Sequence, residues 1–342
     1  MAGLRLAFHF GWLSVWLSFQ GEGPGEALSW LQIFLDLAPE PNVTRGLALG
    51  WGSVLARLAG DSVRSLAYAE EELTMSTVLG DAAGVSDAAA QIGLTLAEDG
   101  QYSTAIERLE ESVAIRRADK LKLILADRLR DLGLVLTGAA NLSGARAALE
   151  ESLDISREIG SFTGKYRALL HLGNVERIDG KLDRARAYFE QRITLEKSST
   201  PGRAGDRGSD IDFQISRALL AAAEGDRAGA RGALEERLRS HWRRGDSRWS
   251  GTLLCCLGVL AVMGQKASPG VQLIGAGAAA YPRYSTVQFP SIRLDVERSL
   301  AEAKAVLGEQ AFAVAWSAGQ AMTLEQAVTL ALEDDSNQTA DK

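Results

Sequence analysis

Three glycines spaced forty residues apart, Gly93, Gly133 and Gly173, constrain this chain more than any other feature of it. Each follows a branched apolar residue (Ile92, Leu132, Leu172). Each is followed seven positions on by a turn residue (Gly100, Ala140, Gly180), twelve on by an alanine (Ala105, Ala145, Ala185) and sixteen on by a large apolar residue (Leu109, Leu149, Phe189). Self-similarity at a fixed period marks a repeat architecture, in which each unit buries its apolar face only by stacking on its neighbours. The beat extends back to Ser53 and Ser14 and forward to Ala218 and Gly258, with spacings of 39, 40, 40, 40, 45 and 40. Glycine inside a helix costs roughly 1 kcal/mol relative to alanine, so its recurrence in apolar runs points to backbones that must approach closely.

The expected unit is a pair of antiparallel helices with a tight turn between them. The 45-residue interval contains a polar, glycine-rich loop, Lys197 to Asp210. Before the first full beat, residues 4–19 read as a helix apolar on nearly all sides, and roughly Glu26 to Leu37 as a second, ended by Pro39 and Pro41. After Tyr281 the beat stops. An irregular stretch bracketed by Pro282 and Pro290 leads to three expected helices at about 291–306, 309–319 and 324–333, the last opened by a capping box at Thr323-Leu-Glu-Gln326. The fold class is therefore all-α: a right-handed superhelical solenoid of about seven antiparallel helix pairs with a C-terminal helical cap. Residues 1–281 form the repeats and 282–342 the cap and a polar tail.

Composition narrows the function. A net charge of -7 argues against direct nucleic-acid binding, which calls for a positive surface. The only cysteines, Cys255 and Cys256, are adjacent and cannot form a disulfide with each other without distortion, which points to a reducing, cytoplasmic setting. The apolar stretch at 4–19 is shorter than a membrane span and has no small-residue cleavage site after it, so no membrane role is expected. An all-round apolar helix at the end of a solenoid needs a cover, and an upstream domain or a partner would provide it.

Other constellations resolve toward structure. Val271-Gln-Leu-Ile-Gly275-Ala-Gly277 has the look of a strand entering a dinucleotide fingerprint, with Asp295 near the position of a ribose-binding acid. Pro282 comes too early for the helix that fingerprint requires, so small-residue helix packing is the better reading. His9, His171 and His241 are scattered, and no metal or cofactor site is expected. A thiol-dependent enzyme using Cys255 or Cys256 is a remote alternative without a convergent acid–base pair; no catalytic residue is assigned. Arg239, Trp242, Arg243, Arg244 and Arg248 form a basic patch, read either as an anionic-partner surface or as cations at a helix C-terminus before Gly245. The glutamates at 70–72, 110–111 and 150–151 recur with the beat and are expected on solvated faces.

The Leu-x-x-Leu-Gly runs, together with Gly100, Tyr102, Ala105 and Leu109 and with Gly180, Leu182, Ala185 and Phe189, resemble tetratricopeptide repeats, whose usual period is roughly 34 residues. In that family the first helix of each pair lines a concave groove. The resemblance then implies a groove lined by Arg130, Asp131, Arg167, His171, Asn174 and Arg177, a polar and partly cationic strip suited to a protein or peptide partner, notably an acidic peptide, or to a small polar ligand. Glu26-Ala-Leu-Ser-Trp-Leu31, the repeats at 60–198 and Ala313 to Val328 are similar to the helical-repeat regions of bacterial signal-transduction ATPases, regulators that often end in a LuxR-type helix-turn-helix. Neither the phosphate-loop motif nor a terminal helix-turn-helix is present here, so neither ATPase activity nor DNA binding carries over. What the resemblance implies is a non-catalytic interaction or ligand-sensing module, an arm of a transcriptional regulator that begins where a switch domain would end. A free-standing scaffold or adaptor that binds peptides in its groove is the alternative.

Overall fold

The computed structural model describes residues 24–119, 121–198, 207–244, 249–280 and 290–333. All the regular structure among them is helical. The helix expected over 4–19, the stretch 281–289 and the tail from 334 onward lie outside the described residues.

Helix α1 (Pro24–Leu37) precedes six pairs: α2 (Val43–Leu58) with α3 (Ser62–Leu79), α4 (Ala82–Glu98) with α5 (Tyr102–Ala118), α6 (Lys122–Gly138) with α7 (Leu142–Glu158), α8 (Phe162–Ile178) with α9 (Leu182–Lys197), α10 (Arg207–Ala223) with α11 (Arg227–Arg243), and α12 (Ser250–Met263) with α13 (Ala267–Ala280). Two further helices follow, α14 (Pro290–Gln320) and α15 (Leu324–Glu333). The period of forty has a direct cause. Helices α4 to α7 each hold 17 residues, and three-residue connections separate them.

Each turn within a pair closes the same way. Gly60, Gly100, Ala140, Gly180, Gly225 and Gln265 take positive φ, and the next residue's N–H reaches back to a carbonyl five positions earlier, as Gln101 does to Leu96 (2.9 Å) and Asn141 to Leu136 (2.9 Å). This is the Schellman closure, which satisfies carbonyls the helix end leaves open. Asp61, Asp81, Asn141 and Asp226 then cap the following helices by accepting the backbone N–H three residues on. The glycines of the beat meet the residues predicted to face them. A Cβ on Gly133 would lie 2.6 Å from Leu149, one on Gly93 would lie 2.9 Å from Leu109, and one on Gly173 would collide with the Phe189 ring.

The chain divides into two compact units, Met1–Ala168 and Leu169–Lys342, with the division inside α8. In the first unit, α2 packs on α4 and α4 on α6, so the first helices of successive pairs are neighbours; in the second, α10 packs on α12. The core of the second unit gathers Ile215, Leu234, Leu257 and Ile274 from the pairs with Ile292 and Val328 from the last two helices.

Three details refine the expectations. The loop between α9 and α10 is shorter than 197–210, because helix resumes at Arg207. The Gly275–Gly277 segment lies within α13, as small-residue packing requires. The two expected helices 291–306 and 309–319 run as α14, interrupted at Gly308 (φ 75°, ψ 167°), and Thr323 and Gln326 exchange the two hydrogen bonds of a capping box at the start of α15.

Candidate functional site on the first helices

In the first unit the predicted groove residues Arg130 and Asp131 belong to an alternating chain of charges. Arg116 donates to Asp87 (2.7 Å), and Asp87 also accepts from Arg128 (2.8 Å). Arg128 donates to Asp131 (3.1 Å), Asp131 accepts from Arg130 (3.0 Å), and Arg130 donates to Asp127 (2.6 Å). Three arginines and three aspartates from α4, α5 and α6 thus form one continuous run. Arg128 and Arg130 hold the Asp131 carboxyl below the usual carboxylate range despite its burial, which pushes the other way. The members left most open are the acids at 87 and 127, at 31% and 38% side-chain exposure. Arg130 and Asp131 therefore lie on a first helix, α6, and their charges are already paired. Arg167, on the part of α8 that belongs to this unit, is half-buried.

In the second unit His171 is half-buried, while Asn174 and Arg177 are buried. Arg177 makes a two-pronged pair with Asp295 of α14, Nη1 to Oδ1 at 3.1 Å and Nη2 to Oδ2 at 2.6 Å. The acid that the sequence set near a ribose site is thus the partner of Arg177, an arginine the sequence assigned to the expected groove. Asp212 of α10 lies in the same neighbourhood. Burial pushes its carboxyl up to about 7, against the opposing pull of Arg192 and Arg177 and a hydrogen bond with Ser216. Arg192 itself lies over the Phe213 ring, 3.7 Å from its centroid.

Glu72 corrects an expectation. Glu70, Glu71, Glu110 and Glu111 are exposed and Glu150 and Glu151 half-buried, but Glu72 is only 2% exposed. It occupies the place, nineteen residues after the beat position, where the next two repeats carry Ser112 and Ser152. Those serines hydrogen-bond the facing first helix, Ser112 with Ser86 and Ser152 with the Ala126 carbonyl (2.7 Å). The longer Glu72 is accommodated by Gly50, where a Cβ would lie 3.0 Å from its Oε2. Burial, aided by the nearby Asp87 and opposed by Arg128, pushes the Glu72 carboxyl up to about 8, and its Oε2 has no hydrogen-bond partner among the described residues. The signal was present in the sequence: an ionisable residue at a serine register, opposite the helix that carries Gly46 and Gly50.

The remaining candidates are accounted for locally. Trp242, Arg243 and Arg244 occupy the last turn and cap of α11, with Trp242 36% exposed; Arg239, just before them, pairs with Glu235 (3.2 Å), and Arg248 and Gly245 lie outside the described residues. Both cysteines are buried and free. Burial pushes the Cys255 thiol up to about 12 and Cys256 up as well, which removes the thiolate that nucleophilic catalysis would use. Among the described residues no cluster of His, Cys, Asp and Glu is placed to hold a metal ion, and no described helix is long and apolar enough to cross a membrane.

No family model matches the sequence, and no curated protein matches it. Solved structures do. The apo form of RapI is similar with a TM-score of 0.59 at 15% identity, over 85% of this chain and 99% of that one. A Rap protein complexed with competence and sporulation factor is similar with a TM-score of 0.58 at 11% identity, over 98% of both chains. The Rap conjugation gene regulator of plasmid pLS20, in complex with the Phr* peptide, is similar with a TM-score of 0.51 at 12% identity, over 90% of this chain and 97% of that one. At these identities the likeness is one of fold: a tetratricopeptide-like array of helix pairs.

Proposed function

We propose that this chain is a non-catalytic interaction module that receives a peptide segment of a partner across the first helices of its repeats. The observation that carries the reading is the alternating run Arg116–Asp87–Arg128–Asp131–Arg130–Asp127. Six charged groups, five of them on first helices and all buried or half-buried, cost desolvation that apolar residues would avoid, and such groups are most useful where they orient a polar ligand. The fold agrees with this use, since one solved structure of the same fold holds the Phr* peptide and another competence and sporulation factor. Arg130 and Asp131 would line this site in the first unit, and Asn174 and Arg177 its counterpart in the second. Asp87 and Asp127, the most open members, are the groups a partner's hydrogen-bond donors would reach first.

The test is to pan a random peptide library on the purified chain and titrate recovered peptides by fluorescence anisotropy. Asp87→Asn with Asp127→Asn should weaken binding about tenfold or more, equivalent to roughly 1.4 kcal/mol. A library that yields no enriched sequence, or peptides indifferent to both substitutions, would overturn the reading.

The narrower setting, an arm that reports ligand binding to the switch domain of a signal-transduction ATPase, rests on the resemblance of the repeat residues. It predicts a nucleotide-binding domain encoded upstream or next door, contacting the apolar segment at 4–19. A scaffold that holds two partners is favoured instead by the presence of a separate charged cluster in each compact unit. Co-purification of one partner or two separates these settings.

A further inference from the structure

The second unit already has an acidic group in its arginine site, and that group comes from its own chain. The beat assigns Arg177, Asp212 and Cys256 to first helices α8, α10 and α12 of successive pairs. Asp295 of α14 enters this neighbourhood from 118 positions away and takes both Nη atoms of Arg177. Both residues are more than nine-tenths buried, at 7% and 8% exposure. A planar guanidinium meeting a carboxylate with two parallel hydrogen bonds is the geometry by which arginine selects an acidic side chain.

The closed arrangement is not fully satisfied. Asn174 Oδ1 and Asp212 Oδ1 are buried acceptors with no hydrogen-bond partner among the described residues. Each such atom carries a desolvation cost that opening to water or to an incoming donor removes. The closed state is thereby weakened beside Arg177, whose charge reaches Asp212.

Helix α14 is also built in two halves with different attachments. Its second half is clamped to α13 by glycine: a Cβ on Gly275 would lie 2.9 Å from the Trp316 carbonyl, and one on Gly319 would collide with the Gln272 backbone. Its first half ends at Gly308, whose φ of 75° and ψ of 167° break the helix. A residue in that region of backbone space is a natural point for the chain to pivot. The first half is held by Ile292 and Ala303 in the core, by Val296, Leu300 and Leu307 packed against it, and by the Asp295–Arg177 pair.

We propose that the first half of α14 is an internal competitor for a carboxylate-recognition site centred on Arg177, with Asp295 standing in for the acidic side chain of a partner peptide. An acidic segment that engages Arg177 displaces Asp295 and releases Pro290–Leu307 about Gly308, while the second half of α14 stays in place. This deepens the preceding proposal and rests on it: the first-helix face is the peptide face, and in the second unit the chain regulates access to it.

The test uses the full chain with fluorescein-labelled hexaglutamate, and hexaglutamine as the neutral control. Asp295→Asn leaves Arg177 without its carboxylate and should bind hexaglutamate about tenfold tighter than wild type, because the competing closed state is depopulated. Hexaglutamine binding should not change, and Arg177→Gln added to Asp295→Asn should abolish the gain. In the wild-type protein, saturating hexaglutamate should speed amide exchange at 290–299 and leave 309–320 unaltered. An Asp295→Asn protein that melts cooperatively but binds hexaglutamate no better than wild type overturns the proposal. So does unchanged exchange at 290–299 in wild type, which decides the matter alone if the variant does not fold. If library peptides still bind through Asp87 and Asp127 while these outcomes fail, the α14 proposal falls and the interaction reading stands.

Discussion

The candidate sites of the two compact units carry buried charge in opposite ways. In the first, every charge in the interior of the run has two partners close at hand: Asp87 has Arg116 and Arg128 on two neighbouring helices, and Asp131 has Arg128 and Arg130 on its own. In the second, Arg177 pairs with one aspartate that arrives from outside the repeats. A redundant local network tolerates the loss of a member, whereas a single long-range pair ties a distant helix to the array and fails when either end is removed. Arg177→Met should therefore cost the most, about 3–5 kcal/mol, by leaving Asp295 buried without a counter-charge. Arg128→Met leaves each of its aspartates one arginine and should cost about 1 kcal/mol. Urea midpoints of the two variants measure this; equal losses would erase the contrast.

Acidity separates the units in a second way. Glu72 titrates at about 8 in the folded protein against an ordinary 4.5, and Asp212 at about 7 against 3.8. Between the ordinary and the raised value the folded chain holds a proton that the unfolded chain has lost. Each group's contribution to stability is thus complete below its ordinary value and declines as pH rises toward its folded value. The decline from the second unit should end near pH 7 and that from the first near pH 8. At about pH 9 the Glu72→Gln protein should exceed wild type by about 2–3 kcal/mol, and at about pH 4 the two should be alike. Stability measured against pH, with Asp212→Asn as the companion, checks the sign and the order. A Glu72→Gln protein less stable than wild type at pH 9 would mean the carboxylate is paired after all.

Much of the architecture was legible because it is local and repeated. A glycine that must face a leucine or phenylalanine sixteen residues on, and a turn residue seven residues on, recur in each unit; reading one reads them all. Gly173→Ala tests this packing against Gly133→Ala. The Phe189 ring facing Gly173 is rigid and edge-on to Phe213, with centroids 5.4 Å apart, whereas the Leu149 facing Gly133 can change rotamer. The former should cost about 2–3 kcal/mol and the latter nearer 1, by thermal melting. Equal costs would show that the second unit packs no more tightly than the first.

The site was half-legible for the same reason. Register placed Arg130, Asp131, Asn174 and Arg177 on the first helices, but a register says nothing about charge partners. Asp295 lies in a helix outside the beat, beyond Pro290, and its pairing depends on α14 bringing it to Arg177 of α8 across 118 positions of sequence. The recurring glutamate pairs concealed Glu72, because its solvated neighbours share its composition but not its helix face.

The smallest effect comes from the two turns within pairs that lack glycine at the left-handed position, one in each unit. Ala140 (φ 59°) and Gln265 (φ 64°) hold the left-handed position that Gly60, Gly100, Gly180 and Gly225 fill elsewhere. A side chain there costs roughly 1–2 kcal/mol through contact of Cβ with the following carbonyl. Glycine removes that strain but adds freedom to the unfolded chain, which offsets about 0.4–1 kcal/mol of the gain. Ala140→Gly and Gln265→Gly should each stabilise by about 0.5 kcal/mol, seen as a small rise in urea midpoint with an unchanged slope. The turns make the same Schellman closure, Ala140 to Thr137 and Asn141 to Leu136 in one and Gln265 to Val262 and Lys266 to Ala261 in the other, so the two gains should match. A gain confined to one turn would locate a difference between the units in the backbone of the repeat itself, and not in the charges it carries.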